Sequence, residues 1–298
     1  MRLPKAALLL VSAVLVMTGG CGAQRTADEP LHVGVIPNIS PDQQRAHYEP
    51  FRAYLEGRLQ RKVELFVAAD YAGVVTALTA KKIDLAYLGG LSYVQAREKS
   101  AVTPLVSEVD QETGTPEYLA AIVVPKDSSA RSVRDVVARG SRFAFGDVSS
   151  TSGSLYPRAM IVEAGARCEP GDLTRCPPLK SVRFTGGHDA TARAVLSGSV
   201  DAGGIELRIL HRLERQGTVP KGGLRVVGTH KVMGYPWVAR EGLDGNIRSA
   251  ITDAFLAIKD AKLLDLLRAK AYVRVSGVHY ADVRTKAAEL GLLAEQGR

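Results

Sequence analysis

The sequence predicts an α/β protein built as two lobes joined by crossing strands, and three observations carry that expectation. From Leu31 onward, short apolar runs of period two alternate with segments whose apolar residues recur every three or four positions. A second run of the same kind starts near Pro125, with no sequence repeat, low-complexity tract or long flexible linker in between. Segments 118–125 and 224–232 read as strands that cross between the two runs, which fits two lobes better than two independent domains.

The elements follow in order. Leu31, Val33 and Val35 alternate as a strand, Phe51, Leu55 and Leu59 recur at helical spacing, and Val63, Leu65 and Val67 alternate again. Residues 71–82 read as a helix and 83–88 as a strand, after which Gly89 and Gly90 turn the chain into another helix. Such repetition argues for a largely parallel sheet covered on both faces, with right-handed crossovers. In the second run come helix 133–138, strand 143–145, helices 153–166 and 190–196, and strand 200–203. Ile251, Ala254, Phe255 and Ile258 mark an amphipathic helix near the C-terminus. The expected division is 31–121 with 232–298 as lobe 1, and 122–231 as lobe 2. A cleft between α/β lobes places strand C-termini and helix N-termini around a ligand.

The N-terminus speaks to the compartment. Arg2 and Lys5 precede an apolar run from Ala6 to Met17, followed by Thr18, Gly19, Gly20 and Cys21. This is the charge, apolar core and small-residue order of a secretory signal over 1–20, with an apolar run too short to span a bilayer of about 30 Å. The small residues before Cys21 resemble a bacterial lipobox, although Thr18 stands where Leu is usual. Cys21 is therefore the expected lipidation site, and polar residues 21–30 a tether; the competing reading is an ordinary signal with a fortuitous Cys. The expected location is extracytoplasmic and membrane-anchored, in the periplasm or on the outer face of the cytoplasmic membrane. There, Cys168 and Cys176 are free to pair across a short loop containing Pro170, Gly171, Pro177 and Pro178, the alternative being two free thiols. A metal site is not expected, since no His or second Cys pair lies near enough to complete four ligands.

The formal net charge is +8, and +6 once residues 1–20 with Arg2 and Lys5 are removed. The basic residues are scattered, with no run of five and no interleaved aromatics, which sets nucleic acid aside and leaves an anionic ligand compatible. With 46% apolar residues the chain is long enough for two packed lobes.

The stretch richest in chemistry is Phe143-Ala-Phe-Gly-Asp-Val-Ser-Ser-Thr-Ser-Gly153, where an apolar strand ends at a turn and Ser150, Thr151 and Ser152 open a helix. The first N–H groups of a helix lack internal partners, so three hydroxyls and those amides can converge on one anion, assisted by the helix dipole. Gly153 allows close backbone approach, and Pro157 falls where its missing N–H costs little. The plainer reading of Ser/Thr before a helix is an N-cap. A second stretch, Gly186-Gly-His188-Asp-Ala, puts His188 at the mouth of another helix, where its ring N–H can donate to an anion; a loop histidine is otherwise a surface residue. The third, Asp70-Tyr71-Ala72-Gly73, opens a helix with a phenol, or simply packs a Tyr beside an Asp cap.

Taken together these stretches resemble the PhnD-like phosphonate-binding family of ABC-importer solute receptors, over nearly all of 31–290. The resemblance rests on Tyr71-Ala72-Gly73, on the Ile-Asp-Leu-Ala-Tyr-x-Gly run from Ile83 to Gly89, and on Gly114-x-Pro-x-Tyr118. The Gly146-Asp-x-x-Ser-Thr-Ser-Gly153 turn and Gly187-His188 complete it. It implies a two-lobed type II periplasmic-binding-protein fold with hinge strands. It also implies an oxyanion site lined by Tyr71, Tyr118, Ser150, Thr151, Ser152 and His188, and a monomer working with ABC permease and ATPase subunits without cofactor. In aminoalkylphosphonate binders of the family an acidic pair holds the ammonium. Glu206 stands near one acid's position, with spacing shortened by about two residues, and Tyr235 replaces the other. Losing that charge-assisted contact, worth roughly 1.5–3 kcal/mol, shifts the expected ligand toward phosphate, phosphite or a simple alkylphosphonate.

Three rival functions compete with this one. Ser152, His188 and Asp189 are triad residue types, but no nucleophile elbow, His-Glu-x-x-His helix or Walker A sequence accompanies them, so no enzyme is expected. The remaining alternatives are a sensor component, or a same-fold receptor for another small anionic solute.

Overall fold

A computed structural model describes residues 29–293; the expected signal peptide, Cys21 and nearly all of the tether lie outside the described residues. Along the chain come β1 (Leu31–Val35), α1 (Pro41–Leu59), β2 (Val63–Val67), α2 (Tyr71–Thr79), β3 (Leu85–Tyr87), α3 (Gly90–Lys99) and β4 (Thr103–Asp110). Next are β5 (Glu117–Pro125), α4 (Val133–Ala138), β6 (Arg142–Phe145), a π-helical turn (Thr151–Leu155), α5 (Tyr156–Glu163), β7 (Ser181–Phe184), α6 (His188–Leu196), β8 (Ala202–Glu206), α7 (Leu207–Arg215) and β9 (Leu224–Met233). The chain ends with β10 (Pro236–Ala239), α8 (Gly245–Leu256), α9 (Ala261–Leu266), β11 (Ala269–Arg274) and α10 (Ala281–Glu289).

Two sheets result, ordered β11-β4-β10-β3-β1-β2 and β7-β6-β8-β5-β9. The chain leaves the first sheet between β4 and β5 and returns between β9 and β10, so the first lobe is discontinuous in sequence. Positions 121/122 and 231/232, where the lobes were expected to divide, fall inside β5 and β9, which pair with each other along their length.

Neither sheet is largely parallel, contrary to the expectation from strand–helix repetition. Four ladders are parallel and five antiparallel. Strands delivered by a helical crossover run parallel. Those with which the chain enters one lobe from the other, β5 and β10, run antiparallel to their neighbours. Local periodicity reports each element but not that global itinerary.

Packing follows from the side-chain alternation. Along β5, Ile122 and Val124 enter one core with Phe143, Phe145 and Met160. Ala121 and Val123 point the other way, into a core with Val195, Ile205 and Ile209. An almost continuous apolar run is what a strand buried on both faces needs. The first lobe is held by aromatic packing, Trp237 lying 4.9 Å from Phe51 and 4.9 Å from Phe255, ring centroid to centroid. Cys168 and Cys176 form a disulfide beside the buried Arg158, whose guanidinium also donates to the Leu173 carbonyl at 2.6 Å.

Candidate functional site

The Ser-Thr-Ser turn sits where the C-terminal end of β6 meets the interlobe seam. Helix α5 begins not as an α-helix but as one π-helical turn, with Leu155 N–H donating to the Ser150 carbonyl at 3.0 Å. Such turns are rare and recur at functional sites because they redirect side chains and amides. Close approach makes this one possible. A Cβ on Gly153 would lie 2.9 Å from Ser150 Oγ and 3.0 Å from His188 Cε1, and one on Gly204 2.5 Å from Pro157. Gly204 of β8 thus lets the turn lie close against its own sheet.

The three hydroxyls have different partners. Ser150 Oγ accepts from Gly153 N–H at 3.0 Å, capping the turn. Thr151 Oγ1 reaches across the seam and accepts from Leu91 N–H at 2.9 Å, at the N-terminus of α3. Ser152 is fully buried, and its Oγ has no hydrogen-bond partner among the described residues. Each hydroxyl still holds a proton that it can donate.

His188 is the first residue of α6, and its Nδ1 accepts from Glu206 N–H at 3.2 Å. Burial pushes its pKa down to about 4, against the pull of the nearby Glu206 carboxylate. The ring is therefore neutral, with its single proton on Nε2, a buried donor without a partner among the described residues. Tyr118 is fully buried as well; its hydroxyl lies beside Ser152 and Tyr235 and, among the described residues, has no partner at hydrogen-bond geometry. Tyr71 opens α2 behind the Asp70 cap, and its backbone N–H donates across the seam to Asp147 Oδ2 at 3.2 Å. Burial, with Asp147 and Glu206 nearby, holds the Tyr71 phenol protonated far above neutral pH.

Tyr235 and Glu206 complete the cluster. The Tyr235 ring stacks on Tyr87 at 5.1 Å and meets Tyr118 at 5.2 Å, and its hydroxyl donates to Glu206 Oε2 at 2.6 Å. Glu206 Oε1 accepts from Arg208 Nε at 2.7 Å. Burial works against the ionised Glu206, but Arg208, Arg268 and His188 outweigh it and hold the pKa at about 2. The structure therefore brings all eight predicted residues to one seam, with Glu206 already engaged at both oxygens.

Several residues here escaped the reading of the sequence. Arg208 is buried and ties the lobes together through Glu206 in its own lobe and through Asp110 and Glu108 of β4, at 3.0 and 3.3 Å. The signal was present: Glu108 and Asp110, two apart, put carboxylates on one face of a strand that also carries Leu105, Val106 and Val109. Asn38, just past β1, is fully buried with neither amide atom partnered, and its carbonyl accepts the His188 N–H at 3.2 Å. Ser154 Oγ is a further buried hydroxyl without a partner.

Comparison with known proteins gives the same picture. Residues 33–280 match the family described as ABC transporter, phosphonate, periplasmic substrate-binding protein. The chain is 29% identical over 274 residues to the phosphate-import protein PhnD of Mycolicibacterium smegmatis, covering 86% of this chain and 84% of that one. It is 26% identical over 288 residues to the probable ABC transporter phosphite binding protein PhnD1 of Prochlorococcus marinus, covering 92% of this chain and 94% of that one. The solved structure of PhnD1 in complex with methylphosphonate superposes with a TM-score of 0.77 at 26% identity, covering 88% of this chain and 98% of that one. The fold is accordingly the two-lobed type II periplasmic-binding-protein fold, and these relatives are transporter components rather than enzymes. The chain belongs to the family of periplasmic substrate-binding proteins of ABC phosphonate transporters.

Proposed function

We propose that this protein captures a small phosphorus oxyanion without an amine, such as phosphate, phosphite or methylphosphonate, at the Ser150-Thr151-Ser152 turn. One observation carries the reading. Ser152 Oγ, the Tyr118 hydroxyl and His188 Nε2 are buried, unpartnered and able to donate, all beside one π-helical turn. Burying several donors without acceptors is costly unless an acceptor-rich ligand enters. Tyr71, Ser150 and Thr151 complete the lining, and the two relatives named for phosphate import and phosphite binding support the same ligand class.

The amine preference follows from the acids. Glu206 is engaged at both oxygens, by Arg208 and by the Tyr235 hydroxyl, and Tyr235 is an uncharged phenol, so neither of the two positions offers a ligand ammonium a free carboxylate oxygen. Calorimetry against phosphate, phosphite, methylphosphonate, 2-aminoethylphosphonate and sulfate tests this. One of the first three should bind about tenfold or more tightly than the aminoethyl compound, and Tyr235→Asp should narrow that gap. A wild-type preference for the aminoethyl compound would overturn the reading.

In the cell the protein would work as a monomer, delivering ligand to an ABC permease and its ATPase. The signal features over 1–20 and Cys21 support a lipid anchor on the extracytoplasmic side of the membrane, and no helix among the described residues is long and apolar enough to cross it. Cys21→Ser should move the protein from the membrane fraction to the soluble one; continued membrane association would refute the anchor.

A further inference from the structure

Asn38 uses its main chain and leaves its side chain idle. Its N–H donates to the Ile36 carbonyl at 3.0 Å, and its carbonyl accepts the His188 N–H at 3.2 Å. Any residue except proline would supply both. The carboxamide is fully buried, yet neither Nδ2 nor Oδ1 has a partner among the described residues. Because both ends are idle, exchanging them by a half-turn of the amide changes nothing. A buried amide left without partners costs stability that an apolar side chain of the same volume would not. Packing therefore does not explain why an asparagine stands here.

Its position does. The segment after β1 crosses the seam, since Ile36 belongs to the core of the first lobe and Ile39 to a core of the second. Pro37, Ile39, Gly187 and Asp189 line a groove of about 220 Å³ on the outer side of that seam, and neither Asn38 nor His188 lines it. This pair is turned inward, where His188 Cε1 lies 3.0 Å from the place of a Cβ on Gly153 of the Ser-Thr-Ser turn. Bond lengths of about 1.5 Å hold the Asn38 amide within about 5 Å of the carbonyl that His188 binds. The idle donors of the site are Ser152 Oγ, the Tyr118 hydroxyl and His188 Nε2. Its carboxylates are taken: Asp147 accepts from Ser149 N–H at 2.7 Å and Tyr71 N–H at 3.2 Å, and Glu206 from Arg208 and Tyr235. Asn38 adds an idle neutral acceptor together with a donor.

We propose that Asn38 is a ligand-binding residue that reads the proton on the oxyanion. Its Nδ2 donates to one ligand oxygen and its Oδ1 accepts from a second, protonated one, so that the site selects a hydrogen-bearing phosphorus oxyanion over sulfate. At neutral pH inorganic phosphate keeps at least one proton and sulfate none, so sulfate would set an acceptor against Oδ1. A site built to bond a ligand hydroxyl rejects an analogue without it, because its own buried group is left unpaired. The inference rests on the oxyanion reading of the Ser-Thr-Ser turn and adds a residue of the first lobe that narrows the ligand to a protonated form.

Wild type, Asn38→Leu and Asn38→Asp test it, each titrated with phosphate, methylphosphonate and sulfate and melted without ligand. The tighter of the two phosphorus ligands is also titrated on either side of its neutral pKa. Wild type should prefer that ligand to sulfate by about tenfold or more. Asn38→Leu should bind it about tenfold or more weakly and lose less of any sulfate affinity, so that the ratio narrows, while its melting temperature without ligand holds or rises. Asn38→Asp exchanges the donor for a second acceptor, so its affinity should shift toward lower pH, where ligand or carboxyl brings one more proton. If wild type binds and Asn38→Leu keeps both affinity and ratio, or if wild type binds sulfate as tightly, the inference falls while the oxyanion reading stands. A lowered melting temperature with an unchanged ratio assigns Asn38 a structural role and also overturns it. Should Asn38→Leu fail to fold, a pH profile of Asn38→Asp that matches wild type refutes the inference. If wild type binds neither phosphorus ligand, the reading of the turn fails and the inference fails with it.

Discussion

Ser152→Ala separates a ligand-binding hydroxyl from a capping one. Ser152 Oγ is buried and makes no hydrogen bond among the described residues, so within the protein its desolvation is not returned. Deleting it should leave stability unchanged or raise it by up to about 1 kcal/mol, since an unsatisfied buried polar group costs about 1–3 kcal/mol. With an oxyanion bound, the same hydroxyl donates to a charged acceptor, a bond worth about 1.5–3 kcal/mol. The substitution should therefore weaken binding by roughly 10- to 150-fold at about 1.4 kcal/mol per decade. Thr151→Val provides the contrast. The Thr151 hydroxyl accepts Leu91 N–H at 2.9 Å across the seam, and its loss strands a buried donor, costing about 1–3 kcal/mol whenever the lobes meet. Titration calorimetry with phosphate and methylphosphonate, paired with scanning calorimetry of the free protein, reads both quantities. Wild-type affinity in Ser152→Ala, or a drop in its melting temperature without ligand, would refute the assignment and return the turn to a structural cap.

Other expectations follow from the same geometry. The lobes meet through bonds such as His188 N–H to the Asn38 carbonyl and Tyr156 to Asp282, so ligand should shrink the radius of gyration in solution scattering and stabilise by about 2.7 kcal/mol at a hundred times Kd. Identical scattering with and without saturating ligand would argue against closure. His188 and His47 have pKa values lowered from 6.5 to about 4, burial being the main cause for each. The unfolded chain thus binds more protons between those values, and stability present above pH 6.5 is lost as pH falls toward 4, on the order of 2–3 kcal/mol per histidine. A melting temperature constant across that window, or a decline no shallower in His188→Gln, would contradict it. Cys176→Ser opens a loop closed across 8 residues and should lower stability by about 2–3 kcal/mol, leaving phosphate affinity within about twofold at 0.4 kcal/mol; a large affinity loss would mean the loop reaches the site.

The sequence by itself determined many of the elements and which hydroxyls the turn carries. Period-two and period-3.6 patterns placed α4 at 133–138 as observed, and Gly89-Gly90 led into α3 as expected. Hydroxyls clustered at a helix start, with a glycine after them, are legible from sequence alone and motivate the proposed anion site. Those signals are local, because a strand, a cap or a turn is decided by residues within one or two turns of each other.

Only the tertiary structure decided which strands run antiparallel, since that depends on when the chain leaves a lobe and when it returns. It also decided the state of each charge. Nothing near Glu206 in sequence tells that Tyr235 donates to one of its oxygens, or that Arg208 binds the other while also holding two carboxylates about a hundred residues away. Arg268 is the clearest case. In the sequence it is one basic residue among many; burial, left-handed backbone and the lack, among the described residues, of a hydrogen-bond partner for its Nε and Nη1 single it out. Desolvation and pairing are properties of neighbours in space, and for residues brought together across a seam the sequence carries no distance.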